Sequence, residues 1–279
     1  MKQPPKLLLL TDFTPLSRVA MEYAVKMAGP LHAEFIVMNV VRLEGIPKAN
    51  LKMRSIEKAV VSIAEEEGAK LIEELKKVSK GNFTITFRAV KGHTVAESVT
   101  RFIEKTKVNM VVMGSRGAST LKKVRLGGTT VSVIDASKVP VLAIPALAQY
   151  RNLQHLVYAT DLKTAEKELA IITEFAEIFG SHVHMIHVAA SMDKKTELDK
   201  AKAEELVRKN GYPKLDFRII LDEDVPKAID RYIQETKSDL LTTFDHHLSL
   251  FEKLFGRNVT RKLAYQGNIP LLAVKKKAN

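Results

Sequence analysis

The sequence of 279 residues contains no cysteine. This absence excludes disulfides, thiolate nucleophiles, iron–sulfur clusters and cysteine-ligated zinc, and it fits a reducing compartment. Long apolar runs are missing as well. The run LLLL at 7–10 is too short for a signal peptide, and no stretch approaches the length of a membrane span. Together these absences predict a cytoplasmic globular protein with no membrane partner.

Acidic residues are outnumbered, with 32 Asp and Glu against 44 Lys and Arg, which gives a net charge of +12. Such an excess raises the alternative of a nucleic-acid or acidic-lipid surface. However, the basic residues are dispersed and interleaved with Glu, and only 275–277 forms a block. No basic stripe with interleaved aromatic residues appears. The pattern therefore favours solvated helix surfaces and disfavours nucleic acid as a partner.

The chain repeats itself. The block LLLLTDFTP at 7–15 is echoed by LVYATDLKT at 156–164, and VPVLAIP at 139–145 is echoed by IPLLAVK at 269–275. The early blocks lie 149 positions apart and the late blocks 130 apart, so the second half has lost residues between them. This pattern predicts a tandem duplication, joined through the connection PALAQYRN.

The duplication predicts two α/β domains, 1–146 and 150–279. Short β-rich runs alternate with amphipathic helical stretches, which indicates crossover connections and parallel sheets. Runs such as LLLL and MVVM lack polar alternation, as expected of strands covered on both faces. The predicted fold is two tandem, Rossmann-like, open parallel five-stranded sheets flanked by helices, with strand order 3-2-1-4-5. In the first half we expect strands at 6–11, 34–41, 83–90, 110–113 and 140–144, and helices at 15–30, 53–78, 95–106 and 129–137.

The helix expected at 53–78 carries apolar residues at helical spacing, with charged residues on its other side. This spacing predicts one apolar face packed on the sheet. Its members are Ile56, Val60, Ile63, Leu71 and Leu75.

Glycines gather in the segment VVMGSRGASTLKKVRLGGTT at 111–130. Gly114 and Gly117 are followed, after nine residues, by Gly127 and Gly128. Glycine is costly to order, and it clusters where the backbone must come close to another group. Four glycines at this spacing therefore predict a loop that lies against a ligand.

The predicted sheet puts this loop at a ligand crevice. With strand order 3-2-1-4-5, the crevice lies beyond the carboxyl ends of strands 1 and 4. The helix that follows Gly128 would offer free N–H groups and the positive end of its dipole to a phosphate. Arg116 could add a charge there, and either Thr129 or Thr130 a hydroxyl. The residues expected at the crevice are Thr11, Asp12, Met113, Gly114, Arg116, Gly117, Gly127, Gly128, Thr129 and Thr130.

Two common phosphate-binding motifs are missing. No G-x-x-x-x-G-K-[ST] occurs, so the segment is not a Walker loop. No GxGxxG follows the first strand, which argues against a dinucleotide site.

The pattern G-x-x-G, nine residues, then G closely resembles the nucleotide-binding motif of universal stress proteins. The resemblance extends to TDFT, GHTVAESV and VPVLAIP, and it spans nearly all of 6–145. It implies the adenine nucleotide alpha hydrolase-like fold of that family. It also implies ATP, or AMP or ADP, in the crevice, with or without Mg²⁺. The resemblance places Asp12 on the adenosine side, Val40 or its neighbour Val41 beside the adenine, and Gly127 at the phosphates.

One residue departs from the family pattern. The family usually has Ser or Thr directly after the last motif glycine, and this chain has Gly128. The backbone amide remains, but a hydroxyl contact is lost unless Thr129 or Thr130 replaces it.

The resemblance also implies pairing through the last strand of the domain. The near-identical closing blocks predict that the two halves pack as an intramolecular pseudo-dimer through 140–144 and 270–274, because each is an apolar strand that would otherwise form an exposed edge. A homodimer and an unnamed protein partner are further possibilities.

The second half keeps Asp161 at the end of its first strand but has lost the glycines. The 130-residue offset predicts a nucleotide site that is closed or repurposed. The residues at the positions of Gly114, Gly117, Gly127 and Gly128 are Phe244, His247, Arg257 and Asn258.

Histidines are frequent in the second half, in HVHMIHV at 182–188 and at His246 and His247. His182 and His184 share a strand face, and His187 lies on the opposite one. A zinc site with Asp161 is one interpretation; unrelated surface and core histidines are the other. Zinc needs three or four converging ligands, so the pattern favours the second interpretation and no metal.

Three functions compete. The first is a signalling or stress-response protein with one nucleotide in its first half. The second is an enzyme that hydrolyses ATP or transfers phosphate, for which the glycine loop supplies no clear base, nucleophile or carboxylate pair; at most slow hydrolysis is expected. The third is a regulatory protein that acts without a nucleotide. The sequence favours the first.

Overall fold

The structure, a computed structural model, describes residues 4–42, 51–79, 81–115, 126–245 and 269–275, with the backbone alone at 51–54 and 245. The chain divides into two compact units, Met1–Tyr150 and Arg151–Asn279, here called unit 1 and unit 2. Of the residues expected at the crevice, Arg116 and Gly117 lie outside the described residues, as do His246 and His247 of the histidine group.

Unit 1 alternates strands and helices as the sequence predicts. A short 3₁₀ turn, Gly29–Leu31, follows its first helix. Its strands β1 to β5 span Lys6–Thr11, Glu34–Arg42, Thr84–Gly92, Met110–Gly114 and Val141–Ile144, and its helices α1 to α4 span Pro15–Ala28, Leu51–Lys76, Val95–Thr106 and Gly128–Ala136.

Unit 2 follows the same alternation. Its strands β6 to β10 span His155–Ala159, His182–Ala189, Leu215–Leu221, Leu240–Asp245 and Leu271–Lys275, and its helices α5 to α7 span Ala165–Phe179, Lys194–Asn210 and Val225–Thr236.

Each unit contains a parallel sheet of the predicted order. In unit 1 the order is β3-β2-β1-β4-β5, and in unit 2 it is β8-β7-β6-β9-β10. The register is also repeated. Leu9 lies opposite Val112 in unit 1, and Tyr158 lies opposite Thr242, the corresponding pair, in unit 2. The switch of strand order therefore falls between β1 and β4, where the sequence predicts it.

Local signals account for the helix ends. Thr14 accepts a hydrogen bond from the Ser17 N–H at the start of α1, and Thr94 accepts one from the Glu97 N–H at the start of α3. These hydroxyls satisfy N–H groups that a helix leaves unpaired. Helices α3 and α7, which correspond in the two units, both end at a lysine in the left-handed conformation, Lys107 and Lys237.

The core of unit 1 is the sheet itself and the helix faces against it. The central strand β1 is buried from Leu7 to Thr11, as expected for a parallel strand covered on both sides. Helix α2 approaches β3 closely at Gly68, where an added Cβ would lie 2.4 Å from the Phe87 ring. A side chain at Gly68 would therefore push α2 away from the sheet.

The predicted apolar face of α2 is only partly correct. Leu71 and Leu75 are buried, but Ile56, Val60 and Ile63 are 48%, 40% and 59% exposed. The apolar spacing continues along the whole helix, whereas among the side chains described, from residue 55 onward, the buried ones lie at Ala64 and beyond.

Within the described residues, no helix combines the length and the apolar character that crossing a membrane requires.

Candidate functional site

A tight turn follows β1. The Thr11 hydroxyl accepts from the Phe13 N–H at 2.9 Å, and Asp12 Oδ1 accepts from the Thr14 N–H at 3.2 Å and the Thr14 hydroxyl at 2.6 Å. Between them Phe13 adopts a φ of 61°, a left-handed conformation that is rare for an aromatic residue. These bonds hold the turn and leave Asp12 exposed at the carboxyl edge of the sheet.

A cavity of about 280 Å³ lies at this edge, close to the lower end of the usual range for small-molecule sites. It gathers the ends of β1, β2 and β4 with the first turns of α3 and α4. Of the predicted residues, the structure brings Thr11, Asp12, Val40, Met113, Gly114, Thr129 and Thr130 to its lining.

The lining also contains residues that sequence reasoning missed. Asn39, in the second half of β2, lies opposite Thr11 in the sheet and donates its side-chain amide to the Thr11 carbonyl at 2.9 Å. Arg42 ends β2 and supplies a cation at the cavity. The sequence could have indicated both, since they are polar residues that follow the apolar segment of β2. The remaining residues missed are Leu10, Ser17, Met38 and Val95.

Helix α4 begins at the cavity without a side-chain cap. Its N-cap is Gly127, which has no side chain to bond the first turn. Within the part of the chain that the structure describes, no group accepts from the N–H groups of Gly128, Thr129 and Thr130. Unpaired N–H groups at the positive end of a helix dipole bind anions.

The two threonines of this turn have different positions. Thr130 is buried, and its hydroxyl donates to the carbonyls of Gly114 at 3.1 Å and Ser115 at 3.3 Å. The Gly127 N–H donates to the same Ser115 carbonyl at 2.8 Å. These bonds hold α4 on the end of β4. Thr129 is exposed, so its hydroxyl, unlike that of Thr130, can face a ligand.

Unit 2 repeats the turn after its central strand. Thr160 accepts from the Leu162 N–H at 3.0 Å, Asp161 accepts from the Lys163 N–H at 3.1 Å, and Leu162 has a φ of 67°. The half of the site formed by β1 in unit 1 is therefore retained.

At the end of β9 a side chain replaces the first motif glycine. Phe244 lies opposite Val274, as Gly114 lies opposite Ile144 in unit 1. It is 5% exposed, and its ring packs edge-on against Tyr158, with the ring centroids 5.7 Å apart. A buried aromatic ring thus stands where the first motif glycine would be.

Tyr158 is itself part of a buried polar group. Its hydroxyl donates to the Glu168 carboxylate, which also accepts from the Thr164 hydroxyl. Burial, and then the neighbouring charge of Glu168, raise the pKa of Tyr158 well above its usual value.

The suggested convergence on Asp161 is wrong for His182 and His184. His187 donates to the Thr160 carbonyl at 2.9 Å, the contact that Asn39 makes in unit 1. His182 and His184 instead meet Asp216. The sequence pattern on β7 could not reveal this partner, because it lies on a neighbouring strand.

Comparison with known proteins identifies the family. The model of the universal stress protein family matches residues 5–145. The chain belongs to the universal stress protein family. The universal stress protein MJ0577 of Methanocaldococcus jannaschii is 31% identical over 153 residues, which cover 50% of this chain and 93% of that protein. The universal stress protein YxiE of Bacillus subtilis is 31% identical over 146 residues, covering 50% of this chain and 97% of its own.

A solved universal stress protein shares the fold over the whole chain. The crystal structure of a universal stress protein from Archaeoglobus fulgidus superposes with a TM-score of 0.68 at 21% identity, covering 99% of this chain and 100% of that one. The similarity extends over the sequence of both units and shows a shared fold.

Proposed function

We propose that this universal stress protein is a stress-response or signalling protein that binds one adenine nucleotide, ATP or its products AMP and ADP, in the crevice of unit 1. The observation that carries the proposal is the uncapped start of α4, whose residues Thr129 and Thr130 line the cavity at the switch of strand order. Ligands of open parallel sheets bind at this place.

The phosphates fit the α4 end of the cavity. The N–H groups of Gly128 and Thr129 would donate to the phosphate oxygens there, and the exposed Thr129 hydroxyl would add a third donor. Because Thr130 is bonded to the end of β4, this first turn is held in place before a ligand arrives.

The nucleoside fits the end nearer β1 and β2. Asp12 is the one acidic side chain among the described lining residues, and its carboxylate would accept from the ribose hydroxyls. The half-buried Val40 would pack on the adenine, as in the family pattern. Arg42 adds a cation beside the crevice, and a bound Mg²⁺ would be held by the nucleotide's own phosphates.

The same lining supports binding more than catalysis. Among its described residues Asp12 has no second carboxylate, histidine or lysine beside it to activate a water molecule. We therefore expect turnover slower than about one ATP per minute, whereas typical enzymes run near ten per second.

The matched residues Asp12 and Asp161 allow a sharp test. Each accepts from the N–H two residues further on in the corresponding turn, so Asp12→Ala and Asp161→Ala should each lower the stability of their own unit. Calorimetric titration of the parent with ATP should give one site per chain. Asp12→Ala should weaken that site about tenfold or more, since a hydrogen bond to a charged group contributes about 1.5–3 kcal/mol. Asp161→Ala should leave it unchanged.

Two further measurements complete the test. Analysis of the nucleotide released on denaturing the purified protein identifies the natural ligand. Gly117→His, which copies the residue at position 247, is expected from the sequence to abolish binding. Two ATP per chain in the parent, or equal losses in the two aspartate variants, would contradict the proposal.

A further inference from the structure

Four side chains from three neighbouring strands meet on one face of unit 2. His182 and His184 alternate along β7, so both project from the same side. Asp216 of β8 is the register partner of His184, and His155 of β6 is the register partner of His182. The sheet register itself therefore brings three imidazoles and a carboxylate together.

The ligand-type atoms of this group are close. His182 Nε2 lies 2.6 Å from Asp216 Oδ2, and His184 Nδ1 lies 2.9 Å from the same oxygen. The rings of His182 and His184 stack with centroids 4.5 Å apart and planes at 14°. All three ligand atoms lie within 4.8 Å of one another. A tetrahedral zinc ion with bonds of about 2.0–2.1 Å needs its ligand atoms about 3.3 Å apart, so small side-chain rotations would suffice.

The carboxylate is incompletely satisfied without a cation. Both imidazoles bond Oδ2, while Oδ1 is buried and has no hydrogen-bond partner among the described residues. A buried acceptor left without a partner costs about 1–3 kcal/mol. A divalent cation that the carboxylate holds through both of its oxygens would offset that cost.

A second residue orients the imidazole of His184. Its Nε2 lies 3.1 Å from His155 Nδ1. When Nδ1 of His184 faces a metal, its Nε2–H can donate to His155 Nδ1. Metal-bound histidines usually donate their second ring N–H in this way, which fixes the tautomer.

We propose that His182, His184 and Asp216 form a binding site for a divalent transition metal of the zinc class in unit 2, with His155 as a positioning residue. Two imidazoles and one carboxylate are a ligand set that suits zinc, whereas Mg²⁺ and Ca²⁺ prefer oxygen ligands alone. This site is independent of the nucleotide crevice of unit 1.

The site is open on one side. The side chain of His184 is only 12% exposed, but those of His182 and Asp216 are 38% and 35% exposed. The fourth zinc position would therefore be taken by water or by an external ligand. Arg218 is exposed and lies two positions after Asp216 on the same strand face. Its positive charge repels a bound cation and so limits the affinity of the site for the metal.

The test uses the full chain, stripped with a chelator and free of nucleotide, because ATP itself binds zinc. Titration with Zn²⁺ alone should show one equivalent per chain. His184→Gln and Asp216→Asn should each weaken binding at least tenfold, and His155→Gln should weaken it about 10–100-fold. His187→Gln is the matched control on the opposite face of β7, and it should bind as the parent does.

A spectroscopic measurement on the parent keeps the proposal testable even if the variants fold poorly. The parent loaded with Co²⁺ should show the intense visible absorption of a four-coordinate site. An octahedral spectrum, no binding to the parent, or equal binding by the parent and Asp216→Asn would overturn the proposal. So would a loss in His187→Gln as large as that in His184→Gln.

Discussion

Gly128 is the residue at which the crevice of unit 1 departs from the family motif. An added Cβ at Gly128 would meet no heavy atom of the described residues within 4 Å, so the described backbone accepts a side chain there. We predict that Gly128→Ser strengthens ATP binding about 2–10-fold, because one added hydrogen bond contributes about 0.5–1.5 kcal/mol. Calorimetric titration measures this gain.

Gly128→Ala is the control for that substitution. Both replacements remove the flexibility of glycine from the first turn of α4, but only serine adds a hydroxyl. Equal affinities of the serine and alanine variants would show that the hydroxyl does not reach the phosphates.

The buried Tyr158 should make the stability of unit 2 depend on pH in the alkaline range. Burial, and then Glu168, raise its folded pKa above the value near 10 of an unfolded tyrosine. Its stabilising contribution is therefore complete below pH 10 and is lost as the pH rises toward the folded pKa. We predict that Tyr158→Phe lowers the free energy of unfolding by about 1–3 kcal/mol at pH 7, since Glu168 loses a donor.

Urea unfolding at pH 7 and at pH 10.5 measures both parts of this prediction. The difference between the parent and Tyr158→Phe should shrink at the higher pH. A difference of the same size at both pH values would be inconsistent with an ionising hydroxyl.

Among the elements, helix α2 shows that an apolar residue at helical spacing is not always buried. Ile63 and Leu71 are both aliphatic residues of this helix, but Ile63 is 59% exposed and Leu71 only 4%. We predict that Leu71→Ala lowers the free energy of unfolding of unit 1 by about 2–5 kcal/mol. Ile63→Ala should change it by less than about 0.5 kcal/mol. Denaturant unfolding of the two variants compares them, and similar losses would contradict the described packing.

The elements were largely predictable because their signals are local. Helix α3 spans Val95–Thr106, as predicted, since a threonine cap and an amphipathic repeat mark it. The meeting of Asp12 with Gly114 follows from the strand order alone. The pairing of His184 with Asp216 and that of Asn39 with Thr11 were not predictable, because they depend on register between strands. The sequence also could not show that the Thr130 hydroxyl points back to β4.

At the scale of the whole molecule, the repeated closing blocks predict association of the two halves. We predict that chains 1–150 and 151–279, produced separately, bind each other through their last strands. Sedimentation of the two halves alone and mixed measures this association. Ala143→Lys places a charge in the middle of β5 and should abolish the complex formed on mixing. Halves that stay separate, each as stable as in the intact chain, would contradict the prediction.

Phe244 also bears on the predicted duplication of the chain. A ring packed on Tyr158 has become part of the core of unit 2, so restoring glycine would leave a void. Removal of a buried phenylalanine side chain typically costs about 3–5 kcal/mol, a large share of the stability of an ordinary domain. We therefore expect Phe244→Gly to destabilise unit 2 in urea without regaining ATP binding. A return from phenylalanine to glycine would have to pass through poorly folded intermediates, and selection would remove them. We therefore expect the exchange of glycine for Phe244 to be a one-way step that left unit 2 free to acquire other roles.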